Sequence, residues 1–414
     1  MAVNDFEVVV VGAGAAGIAA ARKLKDAGVD TLLVEARDRI GGRAWTVDAV
    51  SGVPLDLGCG WLHSADHNPW REIAEAQGRT IDRTPPPWAR AVSPTGAAVP
   101  EMAAYGEAIG AFRGKLADFS EGEADVPASA FLEPGSRWNG MLGAVSTFFS
   151  GAELDRVSTR DLARYDDTGI NWRVVEGYGR VVVESGAGLD VRLSCPVQRV
   201  DRRGKRLRVD TADGPISADT VIVTLPTSLL AASPDFFMPP LPDKTEAAAG
   251  LPLGLADKLF LSLDHAEDFE SESRAFGHTD RVATAAYHFR PFGRPHIEAY
   301  FGGTLAADLE RAGAGAFFDF AVAELVGLFG EGFRARVEQI GLHAWAADPF
   351  ARGSYSYALP GRADERTRLA DPVENRLFFA GEACSTADYS TAHGALLTGK
   401  AAAERAITRV RLTT

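Results

Sequence analysis

Hydrophobic positions near the start of the chain follow two rhythms in quick succession. From Glu7 to Val11 the residues form a short β-branched run that stops at glycine, the pattern of a strand buried on both faces. Ile18, Ala21 and Leu24 then repeat at helical spacing as far as Gly28, which suits a C-terminal cap. A second strand, Thr31 to Val34, ends at Glu35. The far end of the chain repeats the scheme. Leu377 to Glu382 reads as a buried strand stopping at glycine and an acid, and a long helix begins near Thr391 and closes in the basic stretch Arg405 to Arg411. Between these ends, residues 101–119 and 137–150 have helical patterns, Gly254 to Phe301 suggests antiparallel strands, and Ala316 to Phe329 is an amphipathic helix. Pro85-Pro86-Pro87 marks a break before the first of these.

The turn Gly12-Ala13-Gly14-Ala15-Ala16-Gly17 lies between the first strand and helix, and Glu35 stands 18 positions past Gly17. That spacing within a complete βαβ unit is what makes such a glycine pattern informative about dinucleotides. Gly12 permits the tight turn, Gly14 lets the backbone approach a pyrophosphate, and Gly17 lets helix and strand pack closely. Helix N-terminal amides face the phosphates, and Glu35 accepts hydrogen bonds from ribose hydroxyls. The unit alone does not separate NAD from FAD. Ala36 and Arg37, then Gly42 and Arg43, continue a signature seen in many FAD proteins, with Arg43 placed to meet a phosphate. Gly58, Gly60, Trp61, Leu62 and His63 lie in a second glycine-flanked segment able to pass close to a flat ring. At the C-terminal helix, free amides around Thr391, Ala392 and His393 suit the flavin edge that becomes negative on reduction.

Composition narrows the setting. The 414 residues suit two interleaved domains, and 46% apolar with 24% charged residues is ordinary for a globular protein. No stretch approaches the roughly 20 apolar residues of a membrane span, and the first residues carry no signal-peptide pattern. Cys59, Cys195 and Cys384 show no metal-binding spacing, so the expectation is no metal and a reducing cytoplasm. A formal charge of −13 argues against nucleic acid, and it favours a cationic small molecule only modestly, because solubility alone explains many acidic proteins.

Taken together, Val8–Arg43, Asp56–His63 and Leu377–Ala403 resemble the flavin-containing amine oxidase family, and within it polyamine oxidases and histone lysine demethylases. The resemblance extends to Leu251–Leu261, which looks like the family's lysine-bearing strand, to Asp348–Tyr357, and to Ser194–Val200 with Val197 near an adenine. Residues 85–170 match weakly. The resemblance implies an α/β fold: a discontinuous Rossmann-type FAD domain (1–84, 185–245 and 355–414) interleaved with a substrate domain (85–184 and 246–354) of mixed or antiparallel sheet and helices. It implies oxidation of an aliphatic, polyamine-like amine to an imine, hydrolysis to an aldehyde, and reduction of O2 to peroxide. Lys258 matches a lysine held near the flavin through water, where partial desolvation would lower its pKa. Tyr355 resembles a wall of the aromatic cage, Trp345 is a further candidate wall, and Thr391 stands where monoamine oxidases carry a second aromatic. Ser354 stands where those enzymes carry a flavin-bonded cysteine, so FAD is expected to be noncovalent. His63 matches a histidine near the substrate nitrogen, and His393 is given an orienting role. Two alternatives remain: an amino acid oxidase or desaturase-type dehydrogenase, with Arg290, Arg294 or Arg352 meeting a carboxylate, and a nonenzymatic flavoprotein scaffold.

Overall fold

The structure, a computed structural model, describes residues 5–89, 93–96, 101–313 and 315–412. Its larger sheet has eight strands gathered from three distant parts of the chain. The first strand, Asp5–Val11, lies at its centre because Val8, Val9 and Val10 must all leave water, and each is 0% exposed. It pairs in parallel with Thr31–Val34 on one side and Gly214–Val223 on the other. The C-terminal strand Leu377–Phe379 pairs in parallel with Val221–Val223, the last residues of that long strand. Carboxyl ends from the beginning, middle and end of the chain therefore open onto one crevice, where ligands of such sheets bind.

Helix Ala15–Asp26 packs along the C-terminal helix Ala392–Arg411 on one face of this sheet. The approach is close because small residues line it. A Cβ added to Gly399 would lie 2.2 Å from the Ala16 carbonyl oxygen.

The second sheet has five strands, all antiparallel: Ser273–Phe276, Ala286–Phe289, His296–Gly302, Ala256–Ser262 and Gln339–Leu342, in that spatial order. Strand period two sorts its residues onto two faces. Leu259, Leu261, Tyr287, Phe289, Ile297, Ala299 and Phe301 are 0% exposed and pack against helices Gly303–Ala312 and Ala316–Phe329. Burying each such side chain stabilises the fold by about 1.5–3 kcal/mol before ordering costs. Register pairs Lys258 with Tyr300 and Glu298 with both Phe260 and His288, which puts these residues on the opposite face. The short pairing of Leu253–Gly254 with Tyr355–Ser356 joins this sheet to the segment leading back to the crevice. No helix among the described residues is long and apolar enough to cross a membrane.

Candidate functional site

The glycine turn is built to bring backbone close to a ligand. Gly12 has φ of +100° and Gly17 nests against it: a Cβ on Gly17 would lie 1.8 Å from the Gly12 carbonyl oxygen. Gly14 is the N-cap of the first helix and Ala15 its first residue, so the amides after them have no partner within the helix. Gly42, at φ +59°, faces Gly14 across the turn, and a Cβ there would sit 3.1 Å from the Gly14 Cα. Glu35 is buried, with Oε2 accepting from Ala13 N at 2.7 Å and Oε1 from Arg37 N at 2.9 Å. The Cys195 amide donates to the Glu35 carbonyl at 2.8 Å, which brings the segment entering Val197 alongside this acid. Ala36 is half-buried at the same corner.

A knot of charge closes the crevice. Glu382 follows the C-terminal strand and receives Arg43 Nη1 at 2.9 Å, the Ser356 hydroxyl at 2.6 Å and the Ser390 amide at 2.9 Å. Burial would raise its pKa, but Arg43, Ser356 and Arg366 outweigh burial and hold the carboxyl below its usual range. Arg43 also donates to the Ser354 carbonyl at 2.7 Å. Thr391 caps the C-terminal helix, accepting from Gly394 N at 2.9 Å, and Ala392 begins it. A pocket lined by Arg43, Thr224, Leu225, Phe379, Gly381 and Glu382 lies at the carboxyl ends of the strands.

From this knot the chain leads to the polar face of the second sheet. Gly58 lets the chain cross Arg43, since a Cβ on it would lie 1.7 Å from the Arg43 carbonyl oxygen. Gly60 faces Lys258, and a Cβ there would stand 3.3 Å from Nζ. Asp56 is close by. Burial raises its pKa, opposed by Lys258, by the Thr46 hydroxyl and by the amides of Tyr178 and Gly179. Burial pushes the Cys59 thiol up to about 12.

The family model for flavin-containing amine oxidoreductases matches residues 15–146 and 113–407. The chain belongs to this family. Polyamine oxidase 2 of Arabidopsis thaliana is 30% identical over 99% of this chain and 90% of its own length. Probable polyamine oxidase 4 of the same plant is 29% identical over 96% of this chain and 86% of its own length. Lysine-specific histone demethylase 2 of Homo sapiens is 27% identical over 96% of this chain but only 53% of itself. A solved putrescine oxidase, bound to putrescine, superposes with a TM-score of 0.77 over 98% of this chain and 99% of that one, at 19% identity, which speaks to fold alone. Membership implies FAD and an oxidoreductase acting on C–N bonds. The glycine cradle, the helix N-terminus and the buried Glu35 fit the diphosphate and ribose of such a cofactor.

In this amine oxidoreductase Lys258 is half-buried, and its Nζ makes no direct hydrogen bond or ion pair among the described residues. Trp61 packs edge-on to Trp88 at 4.5 Å, holds Arg173 over its ring at 4.6 Å, and directs its indole N–H at Tyr300 Oη at 3.5 Å. Leu62 is fully buried and pairs with Trp172 through its backbone. His63 binds Asn171 at 2.6 Å, and burial, reinforced by His393 and opposed by Asn171, lowers its pKa. His393 lies between Asn68 and Asp388, each at 3.3 Å. Tyr355 donates to the Phe148 carbonyl, and burial raises its pKa.

Two of the expected site residues have protein partners of their own. Trp345 is 2% exposed, donates to the Leu57 carbonyl at 3.2 Å and packs beneath Gly58, so its ring belongs to the core of the second sheet. Arg37 forms a two-point ion pair with Asp348 at 2.8 Å. The structure adds residues that no motif announced. Tyr165 is close enough to Tyr355 to interact electrostatically and lies 5.0 Å from Tyr389, ring to ring. Glu298 and Tyr300 share the strand beside Lys258, and Arg173 is a buried cation paired with Glu272 at 2.7 Å. Only the alternation of Ile297, Ala299 and Phe301 with Glu298 and Tyr300 could have pointed to the polar face.

Proposed function

We propose that the protein oxidises an aliphatic, polyamine-like amine to an imine that water hydrolyses to an aldehyde and an amine, with O2 as acceptor and peroxide as product. FAD, when bound, would take up the two electrons as a hydride. The turn at Gly12, Gly14, Ala15 and Gly17, with Glu35, Ala36, Arg43, Val197, Glu382, Thr391 and Ala392, would hold the cofactor. In this reading segments 1–84, 185–245 and 355–414 make up the FAD-binding part. Gly58, Gly60, Trp61 and Leu62 carry backbone past its ring, and Tyr355 with Tyr165 supplies an apolar, electron-rich wall for the amine. His63, kept neutral by burial, is suited to accept a hydrogen bond from the amine.

The observation that carries the proposal is Lys258 on the polar face, beside Gly60, with no carboxylate bonded to it directly. A lysine there can order a water and supply a positive charge. The amino acid oxidase reading gains little support. Arg290 donates to the Phe269 carbonyl at 2.8 Å, Arg294 donates to the Val175 carbonyl at 2.9 Å, and Arg352 is exposed.

The test is anaerobic mixing of the holoenzyme with polyamines, acetylated polyamines, monoamines and amino acids while following flavin bleaching. Bleaching by an amine, with peroxide formed on readmitting air, is the expected result. Bleaching by amino acids alone would overturn the substrate class, and bleaching without peroxide would overturn O2 as acceptor.

A further inference from the structure

The polar face of the five-stranded sheet carries more titratable groups than Lys258. Tyr300 stands opposite Lys258 in register, and its hydroxyl donates to Glu298 Oε2 at 2.7 Å. Glu298 stands opposite His288 on the next strand, with Nδ1 3.9 Å from Oε2, a gap that one water or a small rotation closes. His288 is 2% exposed, and its other nitrogen, Nε2, meets Glu272 Oε2 at 2.6 Å. A carboxylate can only accept, so the ring proton sits on Nε2 and Nδ1 carries a lone pair. Nδ1 is buried without a hydrogen-bond partner. A buried acceptor left open, aimed at a carboxylate that is itself bonded to a tyrosine beside the lysine, needs an explanation.

Amine oxidation supplies one. Aliphatic amines arrive as ammonium ions at neutral pH, whereas the C–H bond to be broken must belong to a neutral amine, so one proton has to leave before chemistry. Resting on the amine oxidase reading, we propose that Tyr300, Glu298 and His288 form the relay that removes this proton, with His288 Nδ1 as its acceptor. The ammonium gives a proton to Tyr300 Oη as the tyrosine's own proton passes to Glu298 Oε2, and Glu298 passes one to His288 Nδ1. The balance is a neutral amine, an unchanged tyrosine and carboxylate, and one imidazolium between Glu298 and Glu272.

The surroundings support each protonation state. Burial outweighs Glu272 and keeps the His288 imidazole neutral before transfer. Burial alone would raise Glu298, but His296 on its own strand, Arg173 and Lys258 hold it well below the carboxylate range. Arg274, opposite His288, turns instead to Phe276 and Tyr105. Tyr300 is raised above its usual range, first by burial and then by Glu298, so its hydroxyl stays protonated and able to pass protons on.

Two measurements test the relay. Tyr300→Phe removes one hydroxyl, and Glu298→Gln and His288→Gln keep side-chain size. At pH 7 each should slow amine-driven flavin bleaching on the order of 10- to 100-fold, recovering to within about threefold of wild type near pH 10, where the amine arrives neutral. A merely structural lesion would slow bleaching equally at both pH values. The second readout does not depend on turnover. In holoenzyme labelled with 15N-histidine, an amine without α-hydrogens should convert one neutral imidazole to imidazolium, whereas a quaternary ammonium of the same size should not. His288→Gln should abolish that signal. A bleaching wild type whose variants show no pH-dependent recovery, or an unchanged histidine spectrum, overturns the relay alone. A wild type that no amine bleaches overturns the functional reading and the relay with it.

Discussion

Lys258 gains its character from its neighbours. On the sequence it is one lysine in an apolar run, but the strand turns it to the polar face, against Gly60 and across from Tyr300. Lys258→Met should leave FAD bound, because Nζ bonds to none of the residues proposed to hold the diphosphate and ribose, and should slow flavin reduction or reoxidation by about tenfold or more in stopped-flow traces. Unchanged rates in both half-reactions would remove it from the site. Ser354 bears on how the proposed cofactor would be held. Its hydroxyl is engaged with Ala256, accepting from the amide at 2.9 Å and donating to the carbonyl at 2.8 Å. Cys384, which lines the crevice, has its thiol pushed up to about 12 by burial and stays protonated. Acid precipitation should therefore release the yellow colour into the supernatant; colour kept in the pellet would mean a covalent bond.

At the scale of elements, two contacts decide whether the crevice exists. The first is the meeting of the opening strand and helix at Gly12 and Gly17. Gly17→Ala places a methyl 1.8 Å from the Gly12 oxygen, so the turn must open. The purified variant should hold less than about a tenth of the wild-type flavin, read from its visible absorbance. The second contact is Arg366, 0% exposed, which joins the helix Thr159–Arg164 to the segment entering the crevice. It meets both Asp161 oxygens, at 2.7 and 2.8 Å, and the Ser356 hydroxyl at 2.9 Å. Arg366→Ala strands a buried Asp161 and should cost about 3–5 kcal/mol in denaturant unfolding of the apoprotein. A loss under about 1 kcal/mol would show that water reaches Asp161.

For the whole molecule, buried histidines set a dependence on acid. The His63 pKa is lowered by burial, so below the ordinary histidine value near 6.5 the unfolded chain takes up a proton that the folded one refuses. Its contribution to stability is level above that pH and falls as pH drops beneath it. The fall in Tm between pH 7.5 and 5.5 should be smaller in His63→Gln than in wild type, and an equal fall would mean that the folded ring protonates freely. How much was legible beforehand follows from range. The glycine turn, Glu35, the C-terminal helix and the period of the second sheet are local patterns, written in neighbouring residues that must bury or bend together. They determined the fold class and the family, and they mark the residues proposed to cradle the dinucleotide. The destinations of Trp345 and Arg37, the closeness of Tyr165 to Tyr355, and the line from Tyr300 through Glu298 to His288 were decided only by tertiary structure. Those contacts join residues far apart in sequence or in separate strands, and packing and strand register alone choose which polar side chains share a buried face.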